Sequence, residues 1–334
     1  MIIEYKGKKL KTDRHLPMSD ADFLKLKEEY YQKPTIDEVK AEIMKIMSGG
    51  NVTMPNIKSY FFKDLMSKVR VYSAKWTIEE AFEHKPILEV FNYSITQNEG
   101  IFNPELPKIR NILQAIQIGG AGVAKQPTNF DLGNTIDLIK KYNINGNYYD
   151  PSCGWGVRMI GSLCCGVNYY GTDPNYELTK QLNAVGALFT EVDLFAPSYD
   201  VFTQGSEIYI PQLENTIGLI FTSPPYFFLE DYGIGQQSTT LYPEYDDWLK
   251  HYYLPTFQNC YKYAIDGAYM LINIKNYGKY DLEEQTVILA KKAGFKFIGK
   301  ENYDNIKRIN VNGELNESDE NIYVFRKDNY AKII

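Results

Sequence analysis

The stretch that decides the fold runs from Ile217 to Phe227 and reads IGLIFTSPPYF. Residues 217 to 221 predict a buried strand, because a short apolar run that stops at turn residues is typical of a sheet interior. Pro224 and Pro225 end the strand, since proline donates no N–H and holds φ at about −65°. Open α/β sheets bind ligands at the carboxyl ends of their strands, so a site is expected here.

The residues that follow this strand offer acceptors and a flat ring. The Thr222 and Ser223 hydroxyls and the Ser223 and Pro224 carbonyls accept hydrogen bonds, and Tyr226 presents an aromatic face. Such a set suits a planar group with an exocyclic amine, whose two hydrogens meet acceptors while its ring stacks on the tyrosine. A strand that ends in a purely structural Pro-Pro turn above a packed tyrosine would have the same sequence, so this segment alone does not distinguish a binding site from a turn.

Strand and helix patterns alternate on both sides of this stretch. This alternation predicts an α/β fold, a doubly wound and mostly parallel sheet. Asn312-Gly313 predicts a hairpin turn that returns the last strand to the sheet. The predicted strands are 147–150, 168–172, 200–203, 217–221, 268–274, 295–303 and 322–326, and the helices between them are 157–165, 178–189, 246–263 and 282–293.

Residues 1 to 124 have a different character and predict an N-terminal helical accessory domain. Thr35 to Glu38 and Thr77 to Glu80 are capping boxes that begin helices, and Pro107 begins a third helix running to about residue 118. The glycine-rich segment 119–122 is the strongest boundary signal in the chain. We therefore divide the chain into a domain of residues 1–124 and a domain of residues 125–334.

Composition limits the class of protein. The chain has 334 residues, 44% of them hydrophobic, with a net charge of −6, which argues against a protein coated in nucleic acid. No apolar run approaches the ~18 residues of a membrane span, and the N-terminus does not resemble a signal peptide, so a cytoplasmic protein is expected. Four cysteines without a CxxC pair predict no metal site.

A second informative stretch, DPSCGWG, runs from Asp150 to Gly156 between the first strand of the sheet and its helix. Glycines there let a ligand approach the backbone closely. The spacing is that of neither a dinucleotide fingerprint nor a P-loop. Asp173 ends the next strand, some 20 residues after the loop begins, where an acid suits a ribose diol.

Over roughly residues 125 to 327 the chain resembles the S-adenosylmethionine (SAM)-dependent amino-methyltransferases of DNA, found as bacterial and phage modification enzymes. The resemblance implies a Rossmann-like methyltransferase fold with SAM as the cofactor. It assigns the methionine part of SAM to the glycine loop, the ribose to the acid of the second strand, and the adenine to residues nearby. The implied cofactor-binding residues are Pro127, Thr128, Phe130, Asp150, Ser152, Cys153, Gly154, Gly156, Asp173, Pro174, Asn175, Glu207 and Thr222.

The resemblance assigns catalysis to Ser223, Pro224, Pro225 and Tyr226, and it implies DNA as the partner, with the target base flipped out of the duplex. Ser-Pro-Pro-Tyr favours cytosine N4 over adenine N6 as the methylated amine. Covalent attack on a ring carbon needs a cysteine nucleophile, and none lies near residues 222 to 227. Residues 228–245 are expected to lie over the flipped base, and the N-terminal domain to supply further DNA contacts.

Two alternatives stay open. The methyl acceptor could belong to RNA, a free nucleotide or a protein amide, and the acidic net charge favours this somewhat. The fold could also serve a non-catalytic nucleic-acid-binding module, although intact Asp150, Asp173 and Ser223 argue against it. The sequence does not indicate an oligomeric state.

Overall fold

The structure is a computed structural model of the whole chain. It describes residues 1–50, 53–97, 112, 122–142, 145–234, 236–302, 308–309, 315–316 and 321–328. The predicted helix from Pro107, the hairpin turn at Asn312-Gly313 and most of the glycine-rich segment 119–122 lie outside these residues.

The strands of the described residues form one large sheet and three small two-stranded sheets. Their bounds are β1 Ile2–Tyr5, β2 Lys8–Lys11, β3 Arg70–Val71, β4 Asn147–Asp150, β5 Tyr169–Thr172, β6 Tyr199–Phe202, β7 Ile217–Thr222, β8 Glu230–Asp231, β9 Ala264–Ile274, β10 Lys296–Asn302, β11 Arg308–Ile309, β12 Leu315–Asn316 and β13 Asn321–Arg326.

The large sheet has seven strands in the order β10-β13-β9-β7-β4-β5-β6. Only β13 runs antiparallel to its neighbours. The chain winds outward from β4 through β5 to β6, then returns to β7 and winds the other way through β9. The order therefore reverses between β4 and β7, and a crevice forms at their carboxyl ends. The predicted doubly wound, mostly parallel, Rossmann-like sheet is confirmed.

Helices cover both faces of this sheet, and further helices pack among themselves in the N-terminal region. Their bounds are α1 Asp20–Tyr31, α2 Ile36–Met47, α3 Pro55–Ile57, α4 Lys63–Lys68, α5 Ile78–Glu83, α6 Lys85–Gln97, α7 Leu132–Tyr142, α8 Val157–Cys164, α9 Tyr176–Val192, α10 Ser238–Leu241, α11 Tyr245–Trp248, α12 Leu254–Tyr263 and α13 Leu282–Ala293. π-helical turns at Lys58–Phe62 and Leu249–Tyr253 connect α3 to α4 and α11 to α12. Both predicted capping boxes, at Thr35 and Thr77, are present.

The first 124 residues are less uniformly helical than predicted. They begin with the hairpin β1–β2, whose turn residues Lys6 and Gly7 both have positive φ, of 47° and 71°. Positive φ at both central residues is typical of a two-residue hairpin turn, and Gly7 adopts it without steric cost.

The hydrophobic cores do not divide at residue 124. One cluster joins β1, α1, α5 and α6 around the buried Trp76. However, Ile43, Phe62 and Met66 of the N-terminal region belong to the cluster that covers one face of the large sheet. The division into domains of residues 1–124 and 125–334 remains a prediction, and α2 to α4 pack as part of the layer that covers the sheet.

Candidate active site

A cavity of about 460 Å³ opens at the carboxyl ends of the central strands. This volume is in the range of small-molecule sites. It is lined by most of the predicted site residues, which come from five separate segments. These are Pro127, Thr128, Phe130, Ser152, Cys153, Gly154, Asp173, Pro174, Asn175, Glu207, Ser223, Pro224, Pro225 and Tyr226. The structure thus brings together segments that are up to about a hundred residues apart in sequence.

The predicted residues Asp150, Thr222 and Gly156 are not among the lining residues. Asp150 and Thr222 are buried behind the cavity wall. Gly156 has φ of 76°, and a Cβ there would lie 2.8 Å from Leu182 Cδ2 and 3.2 Å from Phe62 Cζ. Gly156 is therefore required by the left-handed turn that begins α8 and by close packing.

Asp150 organises the residues behind the wall. Arg158 Nε donates to Asp150 Oδ2 at 2.8 Å, and Tyr169 OH donates to the same oxygen at 3.2 Å. Thr222 Oγ1 donates to Asp150 Oδ1 at 2.9 Å, and the Ser152 N–H donates to it at 3.2 Å. One carboxylate therefore joins the end of β7 to the glycine loop. Because its acceptors are already used, Asp150 positions other groups instead of contacting a ligand.

The glycine loop passes close to the next strand. The Cys153 N–H donates to the Thr172 carbonyl at 3.1 Å, and Thr172 Oγ1 donates to the Pro151 carbonyl at 2.9 Å. Cys153 is buried, and burial raises the pKa of its thiol well above the ordinary value. A thiol of high pKa is a poor nucleophile, which argues against a covalent role for Cys153, while its role in cofactor binding stays a prediction.

Asp173 is the acid that faces the cavity. Its Oδ1 accepts a hydrogen bond of 2.9 Å from the Asn175 N–H, which fixes the carboxyl at the start of α9. The pKa of Asp173 is raised to about 7, mainly by burial and in smaller part by the nearby Asp150 carboxyl. Asp173 also lines the cavity, so a ligand hydroxyl there can donate a hydrogen bond to its carboxyl.

Two further polar atoms of the cavity are buried without a hydrogen-bond partner among the described residues. They are Glu207 Oε2 and Asn129 Oδ1. Burial also raises the pKa of Glu207. Unpaired buried acceptors are costly, so both indicate places where a ligand donates a hydrogen bond. Glu207 was predicted from its position after the third strand, whereas Asn129 was not.

The Ser-Pro-Pro-Tyr segment leaves β7 as a rigid turn. Tyr226 OH donates to the Asn273 carbonyl of the neighbouring strand β9 at 3.3 Å, which holds the ring at the cavity wall. Pro224 is buried, and Ser223 is half-buried and lines the cavity. Asn273 was not among the predicted site residues. Its contact with Tyr226 can be predicted only once β7 and β9 are known to be neighbouring strands.

The loop after the motif closes one side of the cavity. Leu229, Glu230, Tyr232 and Gln237 line it, and the placement of residues 228–245 over a flipped base stays a prediction. Gln237 holds this loop in shape: its side-chain Nε2 donates to the Glu230 carbonyl at 2.7 Å, and its Oε1 accepts from the Tyr232 N–H at 2.9 Å. Burial raises the pKa of Glu230, whose carboxylate accepts a bond from Tyr232 OH.

The cavity has two halves of different chemistry. Asp173 and Glu207 follow β5 and β6 on one side, whereas Tyr226 and Lys275 follow β7 and β9 on the other. Ser223 and the glycine loop lie between these halves, because β4 and β7 are adjacent. The first half offers acceptors, and the second offers an aromatic face with acceptors beside it. Two different ligands can therefore meet at the reversal point of the sheet.

In the part of the chain that the structure describes, no three His, Cys, Asp or Glu side chains lie close enough together to hold a metal ion. Across the same residues, no helix combines the length and apolar character needed to cross a membrane.

No protein-family model and no curated protein matches the chain. Solved structures do resemble it in fold. They include a SAM-dependent O-methyltransferase from Thermotoga maritima, with a TM-score of 0.42 and 8% identity over 62% of this chain and 69% of that one. A TehB-like SAM-dependent methyltransferase from Corynebacterium glutamicum has a TM-score of 0.36 and 12% identity over 59% of this chain and 87% of that one. A SAM-dependent methyltransferase from Methanosarcina mazei has a TM-score of 0.38 and 10% identity over 57% of this chain and 97% of that one.

Proposed function

We propose that this protein transfers a methyl group from SAM to the exocyclic amine of a DNA base, with cytosine N4 favoured over adenine N6. The observation that carries this proposal is the two-sided cavity. Its acidic half suits the ribose and adenine of the cofactor, and its aromatic half suits a planar base. Ser223 and Pro224 lie where the two halves meet.

The residues of the acidic half fit SAM. Asp173 offers a carboxylate oxygen to the ribose diol, and the unpaired Glu207 Oε2 suits the adenine amine as an acceptor. The glycine loop from Ser152 to Gly154 lines the same cavity for the methionine part, and so does Phe130. When bound, SAM supplies a methyl group on a sulfonium, which is a strong electrophile.

The chain's own residues align the acceptor. An aromatic amine is a weak nucleophile because its lone pair is delocalised into the ring. Ser223 Oγ and the Pro224 carbonyl can each accept one amine hydrogen, which favours a tetrahedral nitrogen. Tyr226 is held by Asn273 and can stack on the base, so that the lone pair points towards the cofactor half. The proton released on transfer can leave to solvent.

A different cytosine chemistry, attack on ring carbon C5, fits this cavity poorly. It requires a cysteine thiolate beside the base. Cys153 is the only cysteine among the residues that line the cavity, and it is buried on the glycine loop with a raised pKa. This favours direct transfer to an amine.

The proposal is tested by incubating the protein with labelled SAM and unmodified DNA and separating the nucleosides. Label is expected in N4-methylcytosine. Ser223→Ala should lower turnover about 10- to 100-fold, through loss of an amine hydrogen bond of ~1.5–3 kcal/mol, while SAM affinity stays within about twofold. Ser198→Ala, at an exposed position away from the cavity, is the matched control.

Other positions of the label distinguish the alternatives. Label in 5-methylcytosine would refute the mechanism, and label in N6-methyladenine would change only the choice of base. Label found only in RNA, a free nucleotide or a protein amide would replace DNA as the acceptor. SAM binding without any transfer would favour the non-catalytic binding module.

A further inference from the structure

Three aromatic side chains lie at the mouth of the cavity. Tyr72 is 64% exposed and Phe228 is 41% exposed, whereas Tyr277 is half-buried. Phe228 and Tyr277 line the cavity, and so do Val71 and Ser73 on either side of Tyr72. We call Tyr72, Phe228 and Tyr277 the aromatic rim. Exposed aromatic side chains grouped beside a cavity are typical of a binding surface.

Phe228 is held outward by a strained backbone. Phe227 and Phe228 have φ of 24° and 63°, a region that non-glycine residues rarely adopt. The side chain of Phe227 is buried against Tyr245, Trp248 and Tyr280, with ring centroids 4.8 to 5.4 Å away. Phe227 thus anchors the turn while Phe228 faces solvent beside the cavity. Strain of this kind concentrates at functional sites.

Tyr72 is brought to the same place by pairing between distant segments. Strand β3 pairs with β8, and the Tyr72 N–H donates to the Leu229 carbonyl at 2.8 Å. Arg70 Nη2 donates to Asp231 Oδ2 at 3.1 Å across the same pair. The Tyr72 ring meets the Tyr277 ring edge to face, with centroids 6.3 Å apart. The rim is therefore a fixed surface built by both halves of the chain.

We infer that the aromatic rim binds the DNA strand that flanks the flipped base, by stacking on the neighbouring bases. This inference rests on the proposed function, because it places the strand by continuity with the cavity. In DNA that is single-stranded around the target, a base held against Tyr226 leaves its unpaired neighbours at the mouth, where the rim offers aromatic faces. Lys275 lines the cavity near Tyr277, and exposed Lys279 lies two residues further along, so positive charge is at hand for phosphates.

The experiment measures binding of a fluorescently labelled single-stranded DNA oligonucleotide by anisotropy, with SAM binding measured by calorimetry in parallel. Tyr72→Ala and Phe228→Ala should each raise the Kd for DNA about 5- to 100-fold, the range for loss of one stacked base. Tyr72→Phe should retain binding, because the ring remains. Phe195→Ala, which removes an exposed aromatic remote from the cavity, is the matched control and should leave the Kd unchanged.

SAM affinity is expected to be the same in all four variants, which separates rim effects from misfolding. Unchanged DNA binding in both alanine variants would overturn the inference, and so would a wild-type protein that binds no DNA. Tighter rim-dependent binding of RNA of the same sequence would overturn the assignment to DNA. Rim-dependent DNA binding without methyl transfer would support the rim and refute the proposed function.

Discussion

Asp173→Asn is expected to stabilise the protein while weakening its ligand binding. The folded pKa of Asp173 is about 7, against an ordinary value of 3.8. A difference of about three pH units corresponds to roughly 4 kcal/mol if the carboxyl is fully buried. Asp173 is half-buried and opens to the cavity, so we expect water to reduce this cost to about 1–2 kcal/mol.

The size of this stabilisation depends on pH. Below about pH 4 both states carry a protonated Asp173, and the substitution should change nothing. As the pH rises from 4 to 7, the unfolded carboxyl ionises first and the wild-type protein loses stability. At pH 8 the full cost is present, so Asp173→Asn should raise Tm by a few degrees. Asp193→Asn is the matched control, since Asp193 Oδ1 accepts the same kind of 2.9 Å bond from the N–H two residues on.

Asp173→Asn should lower the affinity for SAM although it raises Tm. Removing a charged acceptor from the ribose diol is expected to weaken binding about 10- to 100-fold at pH 8. Wild-type affinity should fall as the pH is lowered and Asp173 takes up a proton, whereas the variant should lose this dependence on pH. Thermal unfolding and calorimetry measure both effects. A lower Tm with unchanged SAM affinity at pH 8 would refute the assignment of Asp173.

Two further predictions concern the framework. Asp150→Asn leaves Arg158 buried without a counter-charge and should lower the free energy of unfolding in denaturant by about 3–5 kcal/mol. Adding Arg158→Met should recover part of this loss. A loss under ~1 kcal/mol in the single variant would contradict the role of Asp150. If residues 1–124 are a domain, limited proteolysis should cut at residues 119–122, and because Phe62 and Met66 share a core with the sheet we expect the two pieces to stay associated. Separation of the pieces on a sizing column would show that this shared core is weak.

The strands and helices of the sheet were predictable because each has a local cause. β7 is apolar and ends at two prolines, and α13 ends at Gly294, whose φ of 116° suits glycine alone. The helix predicted over 246–263 is not continuous in the structure, because the π-helical turn Leu249–Tyr253 divides it. Pro255 follows that turn and has no N–H to donate, which accounts for the altered bonding. Tyr252 lines the cavity from this turn, and helical periodicity could not reveal that.

Side-chain direction at the strand ends was less predictable than strand position. Asp150 and Asp173 both end parallel strands, yet only Asp173 lines the cavity. The available signal was Arg158, which falls in the first turn of a helix that is buried all round. A buried guanidinium needs a carboxylate partner, and Asp150 is eight residues away in sequence. The sequence analysis predicted Asp150 as a cofactor-binding residue and did not predict Arg158 as its buried partner.

The position of Asp150 has a consequence for how the two halves of the cavity relate. Asp150 Oδ1 accepts from the Ser152 N–H of the glycine loop and from Thr222 Oγ1 at the end of β7. Ser223 directly follows Thr222, so one oxygen atom determines the spacing between the proposed acceptor of the amine and the loop proposed to hold the cofactor. In-line transfer is sensitive to errors of about 1 Å in this spacing. Under the proposed function, Asp150 therefore controls the alignment of both ligands although it does not line the cavity.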